Sequence, residues 1–205
     1  MNVGKSVRKS IDEWSSGDFD SAMLHACNAV DGTARAVHPK LGNKLRFTRL
    51  LRDNYFILGP MSVPGIDLVA TRFPISVKSP TTPDRQPDLA DLVYGIHRCA
   101  HAHGDDLPGG FELLSDAAGP PRVTRVEIER GKVQLSDRVI FGLLAVAVLS
   151  PASKGQRVPD SYYLTFGAES KMIINEWWGR ADDFHAIAMT DPTPSVKLDF
   201  RNWAP

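Results

Sequence analysis

The chain has 205 residues, enough for one large domain with a substantial buried core. It carries 24 lysines and arginines against 24 aspartates and glutamates, so it lacks the overall positive field that gathers nucleic acid nonspecifically. This balance argues against a protein that coats DNA regardless of sequence. It does not exclude an enzyme that contacts a few phosphates locally.

The sequence pattern predicts no membrane segment. The N-terminus lacks the apolar core of a signal peptide, and the longest apolar run, Val139–Leu149, is far shorter than the roughly 20 residues of a spanning helix. Cys27 and Cys99 have no zinc-ligand spacing and cannot build a disulfide framework. We therefore expect a cytoplasmic protein with reduced thiols and no membrane contact.

Helical patterns dominate the first part of the chain. A short helix is predicted over residues 4–15, and Gly17 ends it. Asp18 is placed to cap a second, longer helix, which Pro39 stops. A third helix is predicted over residues 43–58.

One face of the third helix carries a row of arginines, Arg46, Arg49 and Arg52, at three-residue spacing. Such a row could follow an RNA backbone, so Arg46 and Arg49 are predicted substrate contacts. A row of charges is more often a solvated helix face, and that second interpretation stays open.

The segment from Gly59 to Pro87 contains prolines at 60, 64, 74, 80, 83 and 87, which predicts an ordered loop rather than a long helix. A further helix is predicted to begin near Asp88, with one apolar stripe facing the core. Gly104 stands where a left-handed cap would end this helix.

β-Hairpins are predicted in the C-terminal half. Residues 122–135 alternate around an Arg130-Gly131 turn, and a second hairpin is predicted to turn at residues 167–170. Trp177 and Trp178 are predicted to alternate on the last strand, with one of them buried. Between the hairpins, a helix over residues 137–149 is apolar on nearly every side and is predicted to be central, with Ser136 as its cap.

The predicted architecture is therefore mainly α with added β-hairpins, an α+β protein. One domain is expected over residues 1–205. Its helical core spans about 4–150, with the hairpin insertion at about 122–135 and a β-rich extension at about 156–205.

The densest group of chemically active side chains ends the helix that begins near Asp88. His97, Arg98, His101 and His103 fall within seven residues. Arginine holds a phosphate through a planar fork of donors, and histidine takes or gives a proton near neutral pH. Because RNA supplies its own nucleophile, the 2′-hydroxyl, such a pair is a minimal set for metal-free cleavage to a cyclic phosphate.

The spacing of Arg98 and His103 presents a geometric problem. Residues five apart on an ideal α-helix point about 140° away from each other, whereas Arg98 and His101 lie closer. Three arrangements stay open. The helix unwinds before Gly104, or His101 takes part, or a two-fold dimer places both pairs in one cleft.

The segment from Leu92 to Asp106 resembles the signature helix of the HEPN superfamily, whose motif is an arginine, four to six residues, and a histidine before a small residue. Arg98 and His103 match the motif, and Gly104 follows. The polar residue that usually comes after the arginine is replaced by Cys99 here.

This resemblance implies a HEPN-like helical bundle that forms a homodimer through the motif helices. In active members it implies a metal-independent endoribonuclease, often a toxin or a stress or antiviral effector with an antitoxin or partner protein. Arg98 would stabilise the phosphate, His103 would be the general acid or base, His101 its helper, and His97 a contact to substrate or to a partner subunit. Other members are non-catalytic interaction or ligand-binding modules, which is the alternative.

A metal site is the competing interpretation of the same histidines. Residues 101–106 imitate the HxHxDH run of metallo-β-lactamase-like hydrolases, but a helix precedes them here and only His185 lies downstream. We expect no metal. No glycine-rich phosphate loop and no GxSxG motif is present, so no nucleotide cofactor is expected either.

Overall fold

The computed structural model describes residues 2–98, 111–116, 124–129, 131–167, 170–190 and 193–200, with the backbone alone at 96–98. This part of the chain is mainly helical and contains one three-stranded and one two-stranded sheet. The predicted class, mainly α with added β-structure, is confirmed at this level. A HEPN-like arrangement of the helices stays a prediction.

The first two helices form a hairpin, α1 (Val3–Ser16) and α2 (Phe19–Val37). Gly17 separates them with a left-handed backbone (φ 88°), and its N–H donates to the carbonyl of Trp14. The Asp18 carboxylate then caps α2 by accepting from the Ser21 backbone N–H at 2.9 Å. Both boundaries were predicted from these local signals.

The third predicted helix is divided in two, α3 (Asn43–Asp53) and α4 (Tyr55–Ser62). Asn54 lies at the break, where its side-chain amide donates to the carbonyl of Leu50 at 2.8 Å. α4 continues through Pro60, so the prediction that the helix ends before the prolines was wrong. The loop that follows reaches Asp88.

The next helix begins with α5 (Leu89–Leu92) and continues with the π-helical residues Val93–Arg98. Further along, β1 (Phe111–Leu114) pairs in parallel with β3 (Lys132–Ser136), and β2 (Val126–Glu129) pairs with β3 in antiparallel register. The hairpin of β2 and β3 was predicted. β1 lies in a stretch for which no strand was predicted.

Helix α6 (Arg138–Leu149) is central, as predicted. It packs against α4, α2 and α1, and almost all of its residues are buried. Ser136 marks its start by accepting from the Arg138 backbone N–H at 3.0 Å. Arg138 in turn donates from Nε to the carbonyl of Met61 at 3.2 Å, which ties α6 to the end of α4.

The C-terminal part is less β-rich than predicted. After the 3₁₀ turn Pro151–Ser153, strands β4 (Tyr163–Phe166) and β5 (Ser170–Ile173) form the second hairpin. Two helices follow, α7 (Ile174–Trp177) and α8 (Ala181–Ala188).

The predicted alternation of Trp177 and Trp178 on a strand was wrong, because a helical turn begins at Ile174. Trp178 is buried, and Trp177 carries the Arg180 guanidinium 4.6 Å from its ring centre.

One hydrophobic core cluster contains residues of the helices from α1 to α8 and of both sheets. Within the described ranges, no helix combines the length and the apolar character that a membrane crossing requires. The cytoplasmic location stays a prediction.

We expect the substitution Gly142→Ala to destabilise the protein by about 1–3 kcal/mol, because it overpacks the contact between α6 and α4. The added methyl group would lie 2.6 Å from Cβ of Ser62 and 3.0 Å from Cδ1 of Leu58. Cβ of Ser62 is fixed to the backbone and cannot rotate away. Urea unfolding measures the free-energy change.

Gly59→Ala is the matched control for this prediction. The new methyl group would lie 3.8 Å from Leu68 Cδ1, which is an ordinary van der Waals distance. Alanine also restricts the unfolded chain, so this variant should unfold at equal or higher urea concentration. Equal effects of the two substitutions would contradict the packing argument.

Candidate functional site

Arg98, one of the predicted catalytic residues, ends the helix Leu89–Arg98, called here the motif helix. Asp88 caps it by accepting from the Asp91 backbone N–H at 3.0 Å. The first turn is α-helical, and from Val93 the helix takes the i→i+5 hydrogen-bond pattern of a π-helix. Such stretches are rare and frequently occur at functional sites.

Arg52 of α3 holds the start of the motif helix through a fork of hydrogen bonds. Its Nε donates to Asp88 Oδ2 at 2.6 Å, and Nη2 donates to Asp88 Oδ1 at 2.9 Å. Nη2 also donates to Asp91 Oδ2 at 2.8 Å, while Nη1 donates to Thr81 Oγ1 at 2.8 Å. One guanidinium therefore joins α3, the motif helix and the loop between α4 and Asp88. This loop, residues 63–87, is called here the proline-rich segment.

Thr81 and Tyr55 complete this polar group through further hydrogen bonds. We call the group the anchor network, and it consists of Arg52, Tyr55, Thr81, Asp88 and Asp91. Thr81 donates to Asp91 Oδ1 from its backbone N–H at 2.9 Å and from its hydroxyl at 2.7 Å. The Tyr55 hydroxyl accepts from the Ala90 backbone N–H at 3.1 Å. Asp88 and Asp91 are 2% and 0% exposed, so these partners are needed to compensate two buried charges.

The anchor network also sets the protonation of its members. Burial alone would raise the pKa of Asp88, but the hydrogen bonds from Arg52 and from the Asp91 backbone, with the guanidinium charge, hold that pKa below its usual value. Burial opposes the charge on Arg52, yet the two carboxylates raise the pKa of Arg52 above its usual value. Burial and the Asp88 charge both raise the pKa of Tyr55. At neutral pH Asp88 is therefore an anion, Arg52 a cation and Tyr55 a neutral phenol.

The flanks of the motif helix are packed on both sides. Val93 is fully buried, and the Tyr94 ring meets Phe47 of α3 edge-on, with ring centres 5.3 Å apart. On the other side, a methyl group on Gly95 would lie 3.2 Å from Cβ of Val77. The proline-rich segment therefore lies directly against the helix, and a side chain at position 95 would require Val77 to shift by a few tenths of an ångström.

The predicted catalytic side chains themselves lie beyond what the structure describes. For His97 and Arg98 only the backbone is described, and His101 and His103 lie outside the described residues, as does the whole alternative metal run at 101–106. Their assembly into a site therefore stays a prediction. Arg98 closes the π-helical stretch, and the anchor network fixes the opposite end of the same helix.

The arginine row does not form one solvated face. Arg46 is 7% exposed, and its Nη2 pairs with Asp31 Oδ1 at 3.2 Å. This burial argues against the predicted contact of Arg46 with RNA. Arg49 is exposed and lies 3.6 Å from Asp53, so its predicted role stays a prediction. Arg52 belongs to the anchor network.

The anchor network was not found from the sequence. Asp88 and Asp91 lie three residues apart at a helix start, a spacing that places two carboxylates on one face. This pair was the available signal for a buried cation nearby. Its partner Arg52 lies 36 positions earlier than Asp88, and no local pattern connects the two.

We expect Asp88→Asn to destabilise the protein at neutral pH by roughly 3 kcal/mol, because the amide nitrogen that replaces one carboxylate oxygen cannot accept from Arg52 and leaves buried donors unpaired. Since the folded-state pKa of Asp88 is lowered, its contribution is present above the unfolded value of about 3.9 and is lost as pH falls through the folded value. The difference between native protein and variant, measured by urea unfolding, should therefore shrink below about pH 4.

Asp183→Asn on α8 is the matched control, because Asp183 pairs with Arg180 at 2.6 Å on the exposed surface. An exposed pair contributes little, so this variant should unfold like the native protein at every pH. A loss for Asp88→Asn that stays constant from pH 7 to pH 3 would show that the carboxylate charge is not responsible.

Comparison with known proteins gives a relationship over nearly the whole chain. The family described as Rv1289 matches residues 2–204. Relatives include the uncharacterized protein Rv1289 of Mycobacterium tuberculosis (strain H37Rv) and the uncharacterized protein Mb1320 of Mycobacterium bovis. Each is 43% identical over 209 aligned positions, which cover 100% of this chain and 98% of the relative. No solved structure matches the chain. With a family match from residue 2 to residue 204, this chain belongs to the Rv1289 family.

Proposed function

We propose that this protein is a HEPN-like, metal-independent endoribonuclease that acts as a toxin or as a stress or antiviral effector. Arg98 holds the scissile phosphate, and His103 transfers the proton, with His101 as its helper. Two copies meet through their motif helices, and an antitoxin or partner protein restrains the enzyme.

The π-helical winding of Val93–Arg98 is the observation that supports this proposal most. On an α-helix, Arg98 and His103 would point about 140° apart. Hydrogen bonds of the i→i+5 type instead bring residues five apart to the same side of the helix. Arg98 ends this stretch, so the motif begins where the helix already departs from α-helical geometry.

The reaction needs only groups that the motif supplies. The RNA 2′-oxygen attacks the adjacent phosphorus and loses its proton to a base, while the bond from phosphorus to the 5′-oxygen breaks and that oxygen takes a proton. The products are a 2′,3′-cyclic phosphate and a 5′-hydroxyl. His103 is suited to one proton transfer and His101 to the other, while Arg98 offsets the charge that develops on the phosphoryl oxygens.

Rigid support of the motif helix also favours a catalytic role. A site works when its groups are held close to the reacting geometry, and helices hold side chains better than loops do. The anchor network fixes the first turn of the motif helix, and Tyr94 packs on Phe47 in the next.

A non-catalytic dimeric binding module is the second candidate. An apolar groove lined in part by Phe56, Val69 and Met189 favours it, because the last two are 70% and 60% exposed. The replacement of the usual polar residue by Cys99 after the motif arginine favours it as well.

An RNA cleavage assay in the presence of EDTA tests the proposal. We expect the native protein to cleave RNA without added metal and to leave cyclic phosphate ends. Arg98→Ala and His103→Ala should each lower the cleavage rate by about 100-fold or more, because each removes a group that acts in the transition state. Circular dichroism verifies that both variants remain folded.

His185→Ala is the matched control, since this exposed histidine of α8 lies against Phe56, with ring centres 5.1 Å apart. It should cleave RNA at the native rate. Absence of cleavage by the native protein, or equal rates for Arg98→Ala and the native protein, would overturn the proposal. Sedimentation of a stable dimer without cleavage would then favour the binding module.

A further inference from the structure

A cleft of about 750 Å³ lies between the proline-rich segment and the C-terminal residues 197–200. Its volume falls within the range of small-molecule sites, about 300–1,000 Å³. We call it the proline cleft. Among the described residues that line it, none is predicted for RNA cleavage.

The walls of the proline cleft are held by backbone hydrogen bonds. The Phe73 N–H donates to the carbonyl of Pro87 at 2.9 Å and closes the neck of the proline-rich segment. The C-terminal wall is attached through Val196, whose N–H donates to the Gly65 carbonyl at 2.9 Å. The N–H of Leu198 donates to Thr71 Oγ1 at 3.1 Å. The cleft is therefore preformed.

Cations of the proline cleft differ in how they are paired. Arg72 donates from Nε to Asp84 Oδ2 at 2.9 Å and is neutralised. Arg85 and Lys197 also line the cleft, and no carboxylate among the described residues forms an ion pair with either. Two cations without such a partner thus line the same cleft, together with the carboxylates of Asp84 and Asp199.

A tight turn fixes the position of Arg85. Its backbone lies in the left-handed region (φ 57°), which costs a non-glycine residue about 1–3 kcal/mol. The Arg85 N–H donates to the Thr82 carbonyl at 3.1 Å, and the Gln86 N–H donates to Asp84 Oδ1 at 3.1 Å. The Thr82 hydroxyl donates to the Gln86 carbonyl at 2.6 Å. These bonds hold a strained backbone that directs one arginine to this edge of the cleft.

Most of the remaining lining residues are apolar, among them Phe73, Pro74, Ile75, Val77 and Leu198, and polar side chains such as Ser76 and Gln86 lie between them. A lining of this kind accepts the body of a ligand and excludes water from it, while the rim cations bind a charged end.

We propose that the proline cleft binds a small amphipathic anion, whose phosphate or carboxylate lies between Arg85 and Lys197 and whose aromatic or aliphatic body lies on the apolar lining. Arginine suits both anions, since its planar fork donates two parallel hydrogen bonds to either. The residues that carry this proposal are not those of the proposed ribonuclease motif.

Isothermal titration calorimetry with four probes tests the proposal on the full chain. Adenosine 5′-monophosphate carries a phosphate and an aromatic body, and octanoate carries a carboxylate and an aliphatic body. The other two probes are controls: adenosine lacks the negative charge, and inorganic phosphate lacks the aromatic or aliphatic part. We expect at least one of the two amphipathic anions to bind at least tenfold more tightly than adenosine and inorganic phosphate. The anion that binds shows whether the cleft prefers a phosphate or a carboxylate.

Variants localise the binding. Arg85→Ala and Lys197→Ala should each lower the affinity for the anion at least tenfold. Higher salt concentration should lower the affinity of the native protein as well. Arg125→Ala is the matched control, since Arg125 is exposed and lies away from the cleft residues, and it should bind like the native protein. Failure of both amphipathic anions to bind, or native affinity in Arg85→Ala, would overturn the proposal whatever the outcome of the RNA assay.

Discussion

The buried contact of Arg52 with Asp88 and Asp91 is the constraint on which the rest of the described structure depends. It joins α3 to the start of the motif helix, 36 positions later in the sequence, and both carboxylates are removed from water. Two buried anions without a cation would cost several kcal/mol, so the motif helix and α3 cannot separate without exposing or protonating them. This contact positions the helix that ends at Arg98.

Around that contact the fold separates a rigid interior from two exposed features. Helix α6 supplies an apolar interior against which α1, α2 and α4 pack. The proline-rich segment meets the motif helix where Val77 lies against Gly95, and Val77 also lines the proline cleft. The motif helix and the proline cleft therefore share one supporting segment.

Local signals predicted much of the fold. Gly17 and Asp18 define the α1–α2 turn through short-range hydrogen bonds, and the alternation of β2 and β3 around Gly131 defines a hairpin. The elements that were not predicted form through contacts with residues distant in sequence. Strand β1 is four residues long and forms only because β3 lies beside it.

Contacts with distant residues also explain why the predicted strand around Trp177 and the arginine row were misjudged from the sequence. The chain turns helical after Ile173, where Asn175 donates to the Val158 carbonyl at 2.7 Å and accepts from its N–H at 3.0 Å, and this tertiary contact overrides the apolar alternation. The arginine row was visible, but spacing alone could not separate the buried Arg46 and Arg52 from the exposed Arg49. Burial depends on Asp31 and Asp88, which lie on other helices.

The close approach of α6 to α4 has an evolutionary consequence. At Gly142 the two helices are so near that Ser62 occupies the space a larger residue would need. Among diverging members of the Rv1289 family, any gain in volume at one of these positions should accompany a loss at the other. Compensating changes at positions 62 and 142 would then record how this helix pair keeps its spacing while the surface diverges.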